Sequence, residues 1–428
     1  MPTPFDPIDS LESIEDPNVA YILTKRKILE DLGIKYIGQL FFVDAADVQG
    51  IDADKYEKSL IALRKYLSDA SGFGIDAYSL LQRTSKSIGY IHTGSLALDY
   101  VLGGGIRTGI ITEFAGRYHS GKTQLSLTAS VAAQINGRIG EKKIFIQTDS
   151  SSSCYPVDEN GNKLLLDELD KIGFGLGKRV IYIDSEGSFE PLRVRSIARR
   201  FGLDPDEVLK NIIVYRVSSV AEQFEAAYSA GMRVPIDNVG LIVVDSLTAL
   251  FRSEFSGREQ LAARQQSLNK FVRILQRIAE LYNVAVIVTN QVMDVPDARY
   301  TSGDAFGVKA VGGNVVAHNV GIRMMLDSAS AQAERADKEM PIRRGRIVDS
   351  SYLPPREARF AISDGGIVDI ELKSICKMIV SDYYYEREYI TLPLSRIILP
   401  PSEKALSGKK RSEKMKKTKK AKELKESA

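Results

Sequence analysis

Eight consecutive residues constrain this chain more than any others: Gly116-Arg117-Tyr118-His119-Ser120-Gly121-Lys122-Thr123 has the Gly-x4-Gly-Lys-Thr spacing of a phosphate-binding loop. The apolar run Gly109 to Phe114 ahead of it predicts a strand. Thr123 to Gln134 behind it carries apolar residues at helical spacing. A strand, a tight glycine turn and a helix N-terminus aim consecutive backbone N–H groups at one point, which suits an anion. In that setting Lys122 supplies a point charge to the β- and γ-phosphates. Thr123 offers a hydroxyl to Mg²⁺, and Gln124 opens the helix beside it.

Composition narrows the class. The chain has 428 residues, 44% hydrophobic and 26% charged, enough for more than one domain with a sizeable core. Two cysteines, Cys154 and Cys376, make no disulfide framework, and three histidines, His92, His119 and His318, make no zinc site. No apolar run approaches the ~18 residues of a spanning helix, and Met-Pro-Thr-Pro-Phe-Asp is no signal peptide. A soluble, intracellular protein with no membrane partner is expected. The net charge of +3 is uneven: residues 401–428 carry eleven Lys/Arg against four Glu, leaving −4 for the other 400 residues. That lysine-rich tail reads as a disordered, solvated end, or alternatively as an arm adding sequence-independent affinity for nucleic acid.

Along the chain, residues 18–67 read as short helices with Gly33-Ile34 and Gly50-Ile51 turns, the pattern of a helix-hairpin-helix module or of a small helical domain without a DNA role. Residues 68–89 read as a linker containing one helix. Three β-branched runs then alternate with helical segments: Lys178–Asp184, Val239–Asp245 and Asn283–Asn290. Such alternation predicts an α/β fold, a mostly parallel sheet flanked by helices, with its ligand at the carboxyl ends of the strands.

The strand ends carry polar residues: Asp184-Ser185-Glu186, Asp245-Ser246 and Asn290-Gln291. Asp245 after an apolar run is a Walker-B carboxylate opposite Thr123, so these two are the candidate metal-holding pair. Glu186 is placed to orient or deprotonate a water, and Gln291 to sense a γ-phosphate. Two loops follow these strands, one from Phe251 to Glu259 and one from Met293 to Val311. Their length and their basic residues suit them to grip a backbone across the strand ends.

With these residues laid out, the chain resembles the archaeal RadA recombinases of the RecA-fold DNA strand-exchange family. The resemblance covers roughly residues 20–370 and rests on HTGSLALDYVLGGGI, GKTQL, YIDSEGSF, LIVVDSLTALFRSEFSGREQLAARQQ, VAVIVTNQV and VGGNVVAH. It implies an ATP- and Mg²⁺-dependent, DNA-stimulated ATPase. Such a protein forms a helical filament or ring on single-stranded DNA, pairs it with duplex DNA, and works with other recombination proteins in an archaeal cytoplasm, at the nucleoid. It also implies a RecA-like P-loop ATPase core over 91–372, preceded by a small all-α helix-hairpin-helix domain over 1–70 and a linker over 71–90. An insertion is read at about 139–178, and a C-terminal extension over 373–428.

By motif, the resemblance gives Lys122, Glu186 and Gln291 catalytic roles. Residues Gly116 to Gln124, with Arg193 against the adenine, Asp245 and a neighbouring subunit's His318, form the nucleotide site. Segments 252–259 and 294–311 become DNA-binding loops, with Arg252, Arg258, Arg264, Lys309, Gly312 and Gly313 as their contacts. The Phe-x-x-Ala oligomerisation motif is not intact: ungapped alignment puts Ile75 and Tyr78 at its anchors, while Phe73 with Ala77 is one residue too long. Further departures are Arg117 and His119 in the phosphate loop, Glu190 where arginine is typical, and two prolines missing from the cap over the nucleotide. These departures also fit a second reading, a RadA-like paralogue that regulates recombination with weak ATPase activity. A helicase motor or metabolic kinase is disfavoured by the two loops.

Overall fold

A computed structural model describes residues 2–67, 76–139, 145–148, 154–157, 173–257, 259–294, 308–311, 316, 319–328 and 341–370. Its centre is a nine-stranded sheet built from β1 (Ile111–Gly116), β2 (Arg179–Asp184), β3 (Ile212–Arg216), β4 (Val239–Asp245), β5 (Ala285–Asn290), β6 (Ile322–Ser328), β7 (Ile342–Ser350), β8 (Glu357–Ser363) and β9 (Gly366–Val368). The spatial order is β9-β8-β7-β6-β1-β5-β4-β2-β3. The six strands from β6 to β3 in that order run parallel, while β7, β8 and β9 extend the sheet by antiparallel pairing. The parallel part matches the expectation from the alternating runs. The antiparallel extension has no such signal, because Ile342–Ser350 contains four charged residues and does not read as an apolar run.

β4 and β5 are buried along their whole length, as parallel strands covered on both faces must be. Successive side chains alternate between two cores. Ile181, Ile183, Ile242, Val244, Val286 and Val288 face one, and Val180, Tyr182, Leu241, Val243 and Ile287 face the other. Helix α1 (Lys122–Ala132) and helix α2 (Pro191–Arg200) cover the second face; α3 (Val220–Asp237), the short α4 (Ala249–Glu254) and α5 (Leu261–Tyr282) cover the first. Both long helices of that layer end on an asparagine in the left-handed region, Asn238 at φ 52° and Asn283 at φ 50°. Asparagine tolerates that conformation better than most residues, so each helix stops one residue before its next apolar run begins.

The N-terminal residues form the short helices Pro17–Thr24, Arg26–Asp31 and Ala53–Arg64, with Gly33 and Gly50 at positive φ. They share a hydrophobic core with α3 and α5. The Gln39 amide donates to the Met232 carbonyl at 2.8 Å, Arg277 donates to the Phe41 carbonyl at 3.0 Å, and the Phe42 ring stacks on Tyr282 at 6.0 Å. Gly231 permits this approach, since a Cβ there would lie 2.8 Å from the Phe42 ring. Gly231→Ala should therefore destabilise the protein by about 1–3 kcal/mol through overpacking. Chemical denaturation checks this, and an unchanged midpoint would mean the ring shifts freely.

Between α1 and β2, Asn136–Ile139 pairs with Gly173–Leu176 and Phe145–Thr148 pairs with Cys154–Val157, so one antiparallel pair brackets the segment read as an insertion and a second lies inside it. The long stretch after β5 likewise begins and ends in pairing, Val292–Asp294 against Val308–Ala310, with Met293 opposite Lys309. A helix, Ala77–Ser87, precedes the core, and Tyr78 on it is 70% exposed. Among the described residues no helix is long and apolar enough to cross a membrane.

Candidate active site

The register of the sheet brings its functional residues level. Asp245 pairs with Asp184 and Asn290 with Ala115, so the ends of β1, β2, β4 and β5 open on one place. There Tyr118 to Gln124 line an open cavity of about 1240 Å³ together with Glu186, Ser188, Arg193, Asp245 and Gln291. That exceeds the ~300–1,000 Å³ of an ordinary enclosed pocket, and the site is accordingly open on one side.

Gly121, at φ 98°, precedes α1, and the helix starts at Lys122. The Lys122 ammonium folds back over the loop, donating to the Gly116 and Arg117 carbonyls at 2.9 and 2.8 Å. Burial pushes its pKa down, while Asp245 and Glu186 oppose the shift. His119 adopts φ 60° and its ring packs on Tyr118 with centroids 4.0 Å apart. Histidine is among the side chains more often found in the left-handed region.

Asp245 is the most heavily bonded side chain at the site. Its Oδ2 accepts from Thr123 Oγ1 at 2.8 Å, Tyr182 OH at 2.8 Å and Ser188 Oγ at 3.0 Å, and its Oδ1 from Thr289 Oγ1. Burial, then the neighbouring Asp245 charge, pushes the Tyr182 phenol well above its usual pKa, so it stays a donor. Asp184 fixes the turn after β2 by accepting from the Ser188 and Phe189 amides at 3.0 and 3.1 Å. Glu186 is thereby presented to the cavity. Its Oε1 accepts from Ser246 Oγ at 2.6 Å and from Gln291 Nε2 at 3.1 Å. Gln291 Oε1 in turn accepts from Arg252 Nη1 at 2.8 Å.

Beneath this chain lies a buried polar group. Asn290 donates to Glu113 Oε1 and to the Val311 carbonyl, both at 2.7 Å, and accepts from Thr248 Oγ1 at 2.9 Å. Glu113 also pairs with Arg323 at 2.6 Å; burial raises its pKa and Arg323 opposes that. At the far end of the cavity Arg193 donates to Gln124 Oε1 at 2.6 Å and to the Ser363 and Asp364 carbonyls. Arg343 from β7 donates to the His119 carbonyl at 3.1 Å, and Ile362 lies nearby on β8. Sequence reasoning did not name Tyr182, Ser188, Thr289, Arg343 or Ile362 as site residues. A glutamate inside the apolar run before the phosphate loop was a signal for Glu113, since a buried carboxylate needs a partner.

The structure thus brings together Lys122, Thr123, Glu186, Arg193, Asp245, Gln291 and Arg252. Arg264 sits in the first turn of α5, and the backbone of Lys309 lies in the strand paired with Val292–Asp294. Phe73, Ile75, Arg258, Gly312, Gly313 and His318 lie outside the described residues.

A sequence model of the Rad51 family matches residues 84–160 and 165–370. The chain belongs to the Rad51 family. It is similar to the DNA repair and recombination protein RadA of Ignicoccus hospitalis, 43% identical over 281 residues, covering 66% of this chain and 73% of that protein. The RadA of Cenarchaeum symbiosum is 36% identical over 354 residues, 82% of this chain and 77% of that protein. DNA repair protein RAD51 of Saccharomyces cerevisiae is 37% identical over 329 residues, 76% and 70% respectively. The family match spans Lys122, Glu186, Asp245 and Gln291, and its one interior break, 161–164, falls within the segment read as an insertion.

Proposed function

We propose that this Rad51-family chain is an ATP-dependent DNA recombinase that assembles on single-stranded DNA and exchanges strands with a homologous duplex in recombinational repair. The observation that carries the reading is the convergence of Lys122, the Thr123–Asp245 pair, Glu186 and Gln291 on one cavity.

In this reading the loop amides and Lys122 hold the β- and γ-phosphates, and Arg193 lies along the base. Thr123 and Asp245 fit Mg²⁺: they are hard oxygen donors 2.8 Å apart. Among the described residues no group of three or more His, Cys, Asp or Glu could cage a metal alone, so phosphate oxygens would complete the shell, as Mg²⁺ prefers. When bound there, the ion would supply positive charge against the phosphates. Glu186 orients a water in line with the γ-phosphate and takes its proton. Positioning and electrostatics do most of the work, and hydrolysis releases the filament.

The test is one preparation assayed three ways with Mg²⁺ and ATP: DNA-stimulated hydrolysis, nucleotide-dependent filaments by electron microscopy, and strand exchange. All three are expected. A protein that exchanges nothing yet accelerates another recombinase is instead a regulator. Removing residues 401–428 should flatten the salt dependence of DNA binding, by a slope change of about 0.7 for each single-strand phosphate that the tail had neutralised. An identical slope would leave that tail without a DNA role.

A further inference from the structure

The turn between β8 and β9 lies at the far end of the cavity from the phosphate loop and is held more firmly than an exposed turn needs to be. Arg193 donates to Gln124 Oε1 at 2.6 Å, to the Asp364 carbonyl at 2.7 Å and to the Ser363 carbonyl. A guanidinium is planar with its N–H groups in that plane, so three such bonds fix its orientation. Further along α2, Arg200 donates to the Gly365 carbonyl at 3.3 Å and to the Ile367 carbonyl. Ser363 Oγ closes the turn, accepting from the Gly365 amide at 3.2 Å and donating to the Gly366 carbonyl at 3.3 Å, with Gly366 at φ 97°. One side chain of the turn has no such tie. Asp364 is exposed and lines the cavity, and among the described residues its carboxylate accepts no hydrogen bond. Its charge still reaches Arg193: burial pushes the guanidinium pKa down, and Asp364 opposes the shift.

We propose that Asp364 is a specificity-determining residue for the nucleotide: its carboxylate accepts a hydrogen bond from the exocyclic amino group of adenine, so that ATP is preferred to nucleotides with no donor there. The inference rests on the nucleotide reading above, in which Arg193 lies along the base. Gln124 follows Thr123 in the chain and bonds Arg193, which bonds the Asp364 backbone, so the three lead along the wall away from the phosphate loop. The free carboxylate therefore stands at the end where a base has its edge. An ionised carboxylate accepts and never donates. Adenine meets it with N–H groups, whereas hypoxanthine carries an oxygen at the same position, and two sets of lone pairs repel. Because Arg193 and Arg200 already hold the turn, binding has little to order.

Calorimetric titration of the full-length protein with Mg²⁺ and without DNA tests this with four nucleotides. They are ATP, inosine triphosphate, 2′-deoxy-ATP and purine riboside triphosphate, which has hydrogen in place of the amino group. The wild type should bind ATP about tenfold more tightly than purine riboside triphosphate, the lower end for a hydrogen bond to a charged group. Asp364→Ala keeps every backbone carbonyl that the two arginines hold, and it should lose that preference by weakening ATP alone. Asp364→Asn should narrow the gap between ATP and inosine triphosphate, because its amide can turn a donor to the inosine oxygen. An alanine variant that binds ATP as the wild type does overturns the inference. So does one that weakens ATP and purine riboside triphosphate equally, since the residue then acts through the turn or through its charge. A loss of discrimination against 2′-deoxy-ATP instead would put the carboxylate at the ribose, and also overturns it. A wild type that binds none of the four removes the functional reading itself.

Discussion

Lys122→Ala should abolish nucleotide-dependent assembly and lower ATP turnover by at least ~100-fold, the scale of removing one preorganised electrostatic group from a reacting centre. The ammonium is a cation lining the phosphate loop, and it faces the side where Asp245 and Glu186 contribute negative charge. It donates to the Gly116 and Arg117 carbonyls. Gly116 ends β1 and the exposed Arg117 opens the loop after it, on the open side of the cavity where water replaces the side chain, so the substitution should shift the melting temperature little. That separation makes the experiment informative: calorimetric titration with ATP reads binding, electron microscopy reads assembly, and a melting curve excludes unfolding. Filaments indistinguishable from wild type would sink the expectation that filament assembly depends on bound nucleotide.

How much of the fold and site is legible in the sequence depends on whether a residue's role is local in the chain. Strand, phosphate loop and helix form one contiguous unit, so Gly116 to Gln124 can be read directly. Asp245 and Gln291 are legible because a parallel sheet puts every strand's polar end on the same edge. Arg343 and Ile362 are not, because they come from the antiparallel extension. Only the register of β6, β7 and β8 brings them back over the loop. Tyr182 and Thr289 are hidden for a different reason. Each sits inside an apolar run and looks like core, and only the fourfold hydrogen bonding of Asp245 reveals that their hydroxyls serve the carboxylate. His119 is legible in sequence only as a departure from the family. It stands at φ 60°, a conformation that side chains rarely adopt, with its ring against Tyr118 on the cavity wall.

Glu186→Gln should separate binding from turnover. Glutamine has nearly the shape of glutamate, and its carbonyl oxygen can still accept from Ser246 and Gln291, which both bond Oε1. What it cannot do is take a proton from water. General-base assistance is worth about 10²–10⁴ in rate, so kcat should fall within that range while ATP affinity stays close to wild type. The Thr123–Asp245 pair and Lys122 are untouched, so the nucleotide should still be held. If hydrolysis releases the filament, complexes of this variant with single-stranded DNA should outlast those of the wild type in ATP and match wild-type complexes formed with a non-hydrolysable analogue. Single-turnover hydrolysis and dissociation measured together decide the matter. A variant hydrolysing at about the wild-type rate would show that Glu186 is not the base, and the task would pass to another oxygen of the same cavity or to the substrate's own phosphate.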